Sequence, residues 1–123
     1  MRKFILISGA AVSLFTVGCA TPEVVCMSSV NQVCDRLFEC QSEQVKSSEQ
    51  FKSAYGTDAQ ECKTKLYATQ KCTEKKEDND NCADGKTFHL DKASECSAAR
   101  AAQSCTDYLD SNKLPAVCTQ VCT

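Results

Sequence analysis

The residues of this chain that could do chemistry are mainly its cysteines, which make up 11 of 123 residues. Two basic residues, Arg2 and Lys3, are followed by an uncharged apolar stretch over residues 4–17, which leads to Cys19. A basic start, a short apolar segment and small residues before a cysteine are typical of a lipoprotein signal peptide. The stretch is shorter than the roughly 20 residues that a membrane-spanning helix needs. The chemistry predicted at Cys19 is therefore acylation, after cleavage directly before it.

A second cleavage site would remove Cys19 instead of modifying it. An ordinary signal peptidase would cut after Ala20, with Gly18 and Ala20 as the small residues. Thr16 stands three places before Cys19, where a lipoprotein signal usually has leucine. The lipoprotein interpretation is the main one. It divides the chain into a signal peptide (1–18), a lipidated cysteine with a short tether (19–27) and a disulfide-rich helical domain (28–123).

Acylation of Cys19 would attach the protein to a membrane, because two or more acyl chains give stable anchoring. The next residue is Ala20 and not aspartate, so the sequence carries no signal for retention at the inner membrane. We expect an exported protein of the bacterial cell envelope, lipid-anchored at the outer membrane and facing the periplasm or the outside.

The ten remaining cysteines are predicted to form five disulfides, since an exported protein folds in an oxidising compartment. They are Cys26, Cys34, Cys40, Cys62, Cys72, Cys82, Cys96, Cys105, Cys118 and Cys122. From Cys19 onward the chain has five Leu, seven Val, three Phe and no Ile. Small domains with so little apolar material usually depend on disulfides. No Cys-x-x-Cys pair occurs, which argues against a zinc knuckle and a thioredoxin-like redox site.

One acidic loop resembles a calcium-binding loop in part. Asp80, Asp84, Gly85 and Asp91 match positions 1, 5, 6 and 12 of an EF-hand loop. Cys82 stands at the third position, where an oxygen ligand is needed, and a disulfide cannot serve there. The segment is therefore interpreted as an Asp-Gly turn followed by a helix cap at Asp91, and no metal is expected.

The other polar residues indicate no catalytic site and no cofactor. His89 is the only histidine, and nothing in the sequence supplies the activated nucleophile that it would need as a partner. Lys71, Lys75 and Lys76 lie among acidic residues and are interpreted as the solvated end of a helix. Without the two basic residues of the signal peptide, 12 of the 14 basic residues remain against 16 acidic ones. This balance argues against nucleic acid as a partner.

Apolar periodicity and capping residues predict helices that would carry these cysteines. The expected segments are a helix from Ser28 or Ser29 to about Gln41, a weaker helix or two short turns over residues 42–55 that end at Gly56, a helix from Thr57 or Asp58 to about Lys75, a charged loop over residues 76–85, a short extended piece over residues 86–90, a helix from Asp91 to about Asp110, and a final helical turn from Pro115 to Cys122. The predicted fold is all-α, a small disulfide-stapled bundle of three to four helices.

Sequence alone cannot choose among the many possible cysteine pairings. If residues 91–110 form one helix, Cys96 and Cys105 lie on opposite faces of it at about 100° per residue. This disfavours a ladder that pairs both with Cys62 and Cys72. Proximity along the chain favours two pairs, Cys72 with Cys82 and Cys40 with Cys62, and leaves the other pairings open.

Several short motifs resemble those of small cysteine-rich lipoproteins of myxobacteria and their relatives, a group without an established function. The similarity covers most of the mature chain. The motifs are Cys34-Asp-Arg-Leu-Phe-Glu-Cys40, Ala54-Tyr55-Gly56-Thr57 leading to Glu61-Cys62, the segment from Ala93 to Cys105, and Pro115-Ala-Val-Cys118. The resemblance implies an anchor and a helical disulfide fold, and it carries over no catalytic residues. Cys26, Cys72, Cys82 and Cys122 are additional to the shared pattern, which favours Cys72–Cys82 and Cys26–Cys122 as added pairs.

These observations lead to three hypotheses of function. The first is a non-enzymatic envelope lipoprotein that binds another envelope protein or has a structural role. The second is a carrier of a small ligand or lipid, because helical bundles with disulfides can enclose an apolar cavity. The third is a secreted domain that resembles a protease inhibitor, because rigidity lowers the cost of binding.

Overall fold

The computed structural model describes residues 21–123, and this part of the chain is all-α with five disulfides. The α-helices are α1 (Pro22–Cys40), α2 (Glu43–Lys46), α3 (Glu49–Tyr55), α4 (Ala59–Thr69), α5 (Leu90–Ala102) and α6 (Cys105–Leu109). Short 3₁₀ turns cover Cys72–Glu74, Asp78–Asn81, Ser111–Lys113 and Ala116–Gln120. The predicted fold class, a small disulfide-stapled helical domain, is confirmed. The predicted signal peptide and Cys19 lie outside the described residues.

Helix α1 is the longest element, with 19 residues, and it begins earlier than predicted. Thr21 caps it, because its hydroxyl accepts a hydrogen bond from the Val24 amide at 3.3 Å, and Pro22 occupies the first turn. Proline suits that position, since its fixed φ matches a helix and its missing N–H has no helical partner there. The predicted start at Ser28 or Ser29 is therefore wrong by about six residues. Residues 22–27, expected to belong to the tether, are helical.

The middle of the chain follows the prediction at its start and departs from it at its end. Residues 42–55 form the two short helices α2 and α3, and Gly56 ends the second with a φ of +82°. Asp58 caps α4 as predicted, accepting a hydrogen bond from the Glu61 amide. Helix α4 ends at Thr69 and not near Lys75, because Lys71 adopts a left-handed conformation (φ 54°) that an α-helix cannot contain.

The predicted helix from Asp91 to Asp110 is two helices. Helix α5 begins at Leu90, with His89 and not Asp91 at the capping position, and ends at Ala102. Ser104 then caps α6 through its hydroxyl. Cys96 and Cys105 therefore lie on different helices, and their expected placement on opposite faces of one helix does not apply. The predicted extended piece is confirmed but is short, because it forms only a single antiparallel bridge between Phe88 and Cys122.

The predicted disulfide pairs Cys72–Cys82, Cys40–Cys62 and Cys26–Cys122 are all wrong. The observed pairs are Cys26–Cys72, Cys34–Cys62, Cys40–Cys105, Cys82–Cys122 and Cys96–Cys118. The reason is the antiparallel packing of α1 on the α4 segment, which is α4 together with the 3₁₀ turn that follows it (residues 59–74). Cys26, early in α1, meets Cys72 at the end of that segment, and Cys34 meets Cys62 near its start. Proximity along the chain cannot reveal such a pairing.

The two disulfides between α1 and the α4 segment also form the centre of the core. The buried core cluster consists of Cys26, Val30, Cys34, Cys62 and Cys72, so four of its five members are half-cystines. Partly buried Met27, Phe38, Tyr55, Leu66 and Tyr67 pack around it. Sulfur bridges thus occupy the space that aliphatic side chains fill in a larger domain, as the poor apolar content requires.

Removal of the Cys34–Cys62 bridge by paired alanine substitutions is expected to destabilise the domain more than removal of Cys96–Cys118. Either loss should cost about 2–5 kcal/mol by relaxing the constraint on the unfolded chain, and the two loops are similar, with sequence separations of 28 and 22. Cys34 and Cys62 are both 0% exposed, whereas Cys96 and Cys118 are not in the buried core, so only the loss of Cys34–Cys62 also leaves a cavity there. Urea unfolding followed by circular dichroism measures the difference, and equal losses would contradict this account.

The start of α4 is expected to depend on pH through Glu61. Its exposed carboxylate accepts hydrogen bonds from the Thr57 amide (3.0 Å) and hydroxyl (2.8 Å), and these bonds lower the pKa of Glu61 below its ordinary value of 4.5. A lowered folded-state pKa stabilises the protein above the unfolded value, and this contribution is lost as the pH falls through the folded value. Glu61→Gln should therefore lower the melting temperature at neutral pH and have no effect in acid. Glu49→Gln removes a carboxylate from the first turn of α3, at the first helical position instead of the third. It is the control, and its effect on the melting temperature at neutral pH should be smaller.

Candidate ligand-binding groove

A groove of about 580 Å³, partly open to solvent, lies between α1 and α5. Its apolar lining includes Val25, Val30, Val33, Leu66, Phe88, Leu90 and Val121. Its polar lining includes Ser28, Ser29 and Gln32 of α1 and Ser94 and Ser97 of α5. The volume lies within the roughly 300–1,000 Å³ of small-molecule sites in proteins.

Each wall of the groove is one stripe of a helix. On α1, Val25, Ser29 and Val33 recur every four residues and so lie on one side of the helix. They stand beside the stripe that carries the core residues Cys26 and Cys34. Helix α1 therefore serves both the disulfide core and the groove, and Cys26 and Val30 belong to both. The sequence contained this second stripe, but nothing in it showed that α5 would lie opposite.

Polar contacts join the two walls at one end of the groove. The Gln32 side-chain amide donates to the Ser97 carbonyl at 2.7 Å, and the Ser97 hydroxyl donates to Gln32 Oε1 at 3.1 Å. Further along α1, the Arg36 guanidinium donates to the Gln103 carbonyl at 2.6 Å. These bonds set the distance between α1 and α5, because each joins a side chain of α1 to a group of α5 or of Gln103, the residue that follows it.

An aromatic ring between two guanidinium groups completes this junction. Tyr108 of α6 is 7% exposed. The Arg36 guanidinium carbon lies 4.9 Å from the centre of its ring, and that of Arg100 lies 3.9 Å from it. Arg36 Nε is buried without a hydrogen-bond partner, so cation–π attraction and the bonds of its other nitrogens must offset that loss. The junction holds the C-terminal end of α5 against α1.

Disulfides and main-chain bonds support the groove elsewhere. Cys26 and Cys96 lie in opposite walls and are bonded to Cys72 and Cys118 respectively, so each wall is fixed from behind. The Asn81 side chain donates to the Pro22 carbonyl at 3.3 Å, where α1 begins. A groove with walls held in this way exists before any ligand arrives.

The groove carries a single charged side chain in its lining, that of Lys75, and no carboxylate. Lys75 is half-buried, and its ammonium donates a hydrogen bond to the Asp80 carbonyl at 2.8 Å. Within residues 21–123 it forms no ion pair with a carboxylate, whereas Lys71 nearby pairs with Glu74 at 4.0 Å. Lys71 and Lys76 are exposed, as expected of a solvated segment, whereas Lys75 is half-buried beside the groove. Because α4 stops at Thr69, the following turn places Lys75 at the groove.

Among the residues considered for calcium, Asp80 binds the backbone instead. The Asp80 carboxylate accepts hydrogen bonds from the amides of Lys76 and Glu77, both at 2.9 Å, and these bonds lower its pKa. Across residues 21–123 there is no group of three or more side chains placed to hold a metal ion, so Asp80, Asp84 and Asp91 do not converge.

His89 contacts the C-terminal segment of the chain. Its backbone precedes α5, and its ring Nε2 lies 2.7 Å from the Thr123 hydroxyl. The His89 amide donates to the Val121 carbonyl at 2.8 Å. The residue thus helps to join the C-terminal segment to the start of α5.

Comparisons with models of known protein families, with curated proteins and with solved structures find no match to this chain. None of the helices in the described part is long and apolar enough to cross a membrane. The disulfides and the groove are therefore the features of the molecule that bear on its function.

Replacement of Tyr108 by leucine is expected to loosen the junction between α1 and α5. Leucine keeps an apolar side chain in this buried place but offers no ring to Arg36 and Arg100, so the loss should be about 1–3 kcal/mol of stability. Tyr108→Phe keeps the ring and should cost much less, which makes it the matched control. Thermal unfolding of both variants checks the prediction. If leucine and phenylalanine had the same effect, cation–π attraction would not be what holds the junction.

Proposed function

We propose that this chain is a non-enzymatic lipoprotein of the bacterial cell envelope, anchored at the outer membrane through Cys19, that acts by binding. Five disulfides indicate an exported protein in an oxidising compartment. The proposal of an anchor is supported by the cysteine count. Ten of the 11 cysteines are bonded to one another, and Cys19 is the one that remains.

The groove between α1 and α5 is the observation that favours a binding function. Its lining is mainly apolar, it is large enough for a small molecule, and cross-links fix both walls. A binding site that is formed in advance loses little conformational freedom when its ligand enters. These features support a carrier or receptor of a small apolar ligand.

Binding to another envelope protein, or a structural role, is the alternative. It is supported by the rigidity of the scaffold, in which disulfides connect α1 to α4, α6 and the turn at Cys72. Such a role uses an outer surface and needs no ligand in the groove. A small molecule that co-purifies with the protein would therefore favour the carrier, and an empty groove would favour protein binding or a structural role.

The intact mass of the protein, extracted from membranes without reduction, tests the proposed anchor. We expect a chain that begins at Cys19, with a mass raised by acyl chains and lowered by two hydrogens for each disulfide. An unacylated chain that begins at Thr21 would contradict lipidation and would indicate a freely secreted domain.

Native mass spectrometry of the same preparation tests the proposed ligand binding. A small molecule should remain bound to the native protein and be lost from Ala93→Leu, which places a larger side chain in the groove lining. Ala102→Leu, on the exposed side of α5 and outside the groove, is the control and should retain it. A native protein without any bound molecule would favour the protein-binding or structural role.

A further inference from the structure

We propose that the groove binds a free fatty acid, with its acyl chain between α1 and α5 and its carboxylate on Lys75. This inference rests on the proposed ligand-binding function and names the chemical class of the ligand. It is carried by the charge distribution of the lining together with its shape.

The apolar residues favour an extended hydrocarbon chain. Leu66 of α4, Val33 of α1 and Leu90 of α5 come from three separate helices, and Phe88 and Val121 extend the apolar lining into the C-terminal part of the chain. A single acyl chain can contact all of them because it is flexible and narrow. A volume of about 580 Å³ is in the range of sites for one small ligand, and a lipid with two acyl chains needs a larger one.

The single charge at the groove determines which head group fits. An ammonium has three N–H donors, and Lys75 uses one of them on the Asp80 carbonyl. Two donors remain for the oxygens of a carboxylate. Since the lining holds no acidic side chain, a carboxylate in the groove would be attracted to Lys75. The Asp80 carboxylate lies outside the lining, where it accepts hydrogen bonds from the amides of Glu77 and Lys76, and these bonds and the charge of Lys75 lower its pKa. A cationic amphiphile would be repelled by Lys75 and would find no acidic side chain in the lining.

The position of Lys75 gives the bound acid one orientation. Lys75 and Asn81 follow α4 and lie at the groove together with Gln70, the residue after α4. The carboxylate would therefore lie near these polar groups, and the acyl chain would extend along the serine and aliphatic stripes of α1 and α5. Ser28, Ser29, Ser94 and Ser97 offer hydroxyl groups along its length.

Photoaffinity labelling of the full-length protein in its membranes tests the inference. The probe is palmitic acid that carries a diazirine on the chain and an alkyne for detection. We expect cross-links in peptides from α1 and α5, competition by unlabelled palmitate, and weaker competition by hexadecanol, which has the same chain and no charge. Lys75→Met should weaken labelling about 10-fold or more, because a charge-assisted hydrogen bond is lost. Lys75→Arg should retain most of it.

Two variants separate a local effect from unfolding. Lys86→Met removes an exposed lysine outside the groove and should label like the native protein. Ala93→Leu should lose labelling, while its circular dichroism spectrum and its disulfides remain native. Loss of labelling in Lys86→Met to the same extent as in Lys75→Met would overturn the assignment of the carboxylate to Lys75.

The remaining outcomes distinguish this inference from the function on which it rests. Equal competition by hexadecanol and palmitate, with no effect of Lys75→Met, would mean that the groove takes a neutral lipid, so the binding function would stand and the fatty acid would be wrong. Labelling that occurs only in Cys19→Ala would assign the groove to the protein's own acyl chains and overturn the inference. No labelling of α1 or α5 in any variant would overturn it as well.

Discussion

The antiparallel packing of α1 against the α4 segment, fixed by Cys26–Cys72 and Cys34–Cys62, is the constraint on which the rest of the structure depends. Both bridges are buried, and together with Val30 they make up the core cluster. A chain with so few aliphatic residues cannot gain enough from burial alone to offset the entropy of ordering the chain. Two covalent links at the centre reduce that entropy cost in the unfolded state. The other elements are then attached to α1.

Helix α1 has a different partner on each part of its surface. Its disulfide face packs on α4, its C-terminal residue Cys40 is bonded to Cys105 of α6, and its remaining stripe faces α5 across the groove. Direct links between α1 and α5 are polar and lie mainly near Gln32 and Arg36. Because these links hold one end and disulfides hold the walls from behind, the two helices stay apart over part of their length. The groove is thus a result of how the elements are cross-linked.

The distribution of charge gives the groove its chemical character. The described surface has several lysines paired with carboxylates, including Lys46 with Glu43 and Lys63 with Asp35. Lys75 differs because its ammonium is directed to a backbone carbonyl beside an apolar lining. A half-buried cation that forms no ion pair within residues 21–123 favours an anionic ligand, since a counter-charge offsets its partial loss of water. A fatty acid is a simple molecule that satisfies both the charge and the apolar lining.

The sequence by itself determined the helical class, the use of all ten cysteines of the domain in disulfides, and several local features such as the cap at Asp58 and the stop at Gly56. These depend on near neighbours in the chain, on helix capping and on composition, which a sequence contains directly. Local signals were also present where the prediction failed: Thr21 and Pro22 mark the start of α1, and Ser104 marks the start of α6.

Only the tertiary structure decided the disulfide pairing and the groove with Lys75 at its side. Each of these depends on residues that are far apart in the chain, such as Cys40 and Cys105, which are separated by 65 positions. Contacts of that kind are set by which helix faces pack together and in which direction. The free energy of that packing belongs to the whole domain, so no local pattern of residues can express it.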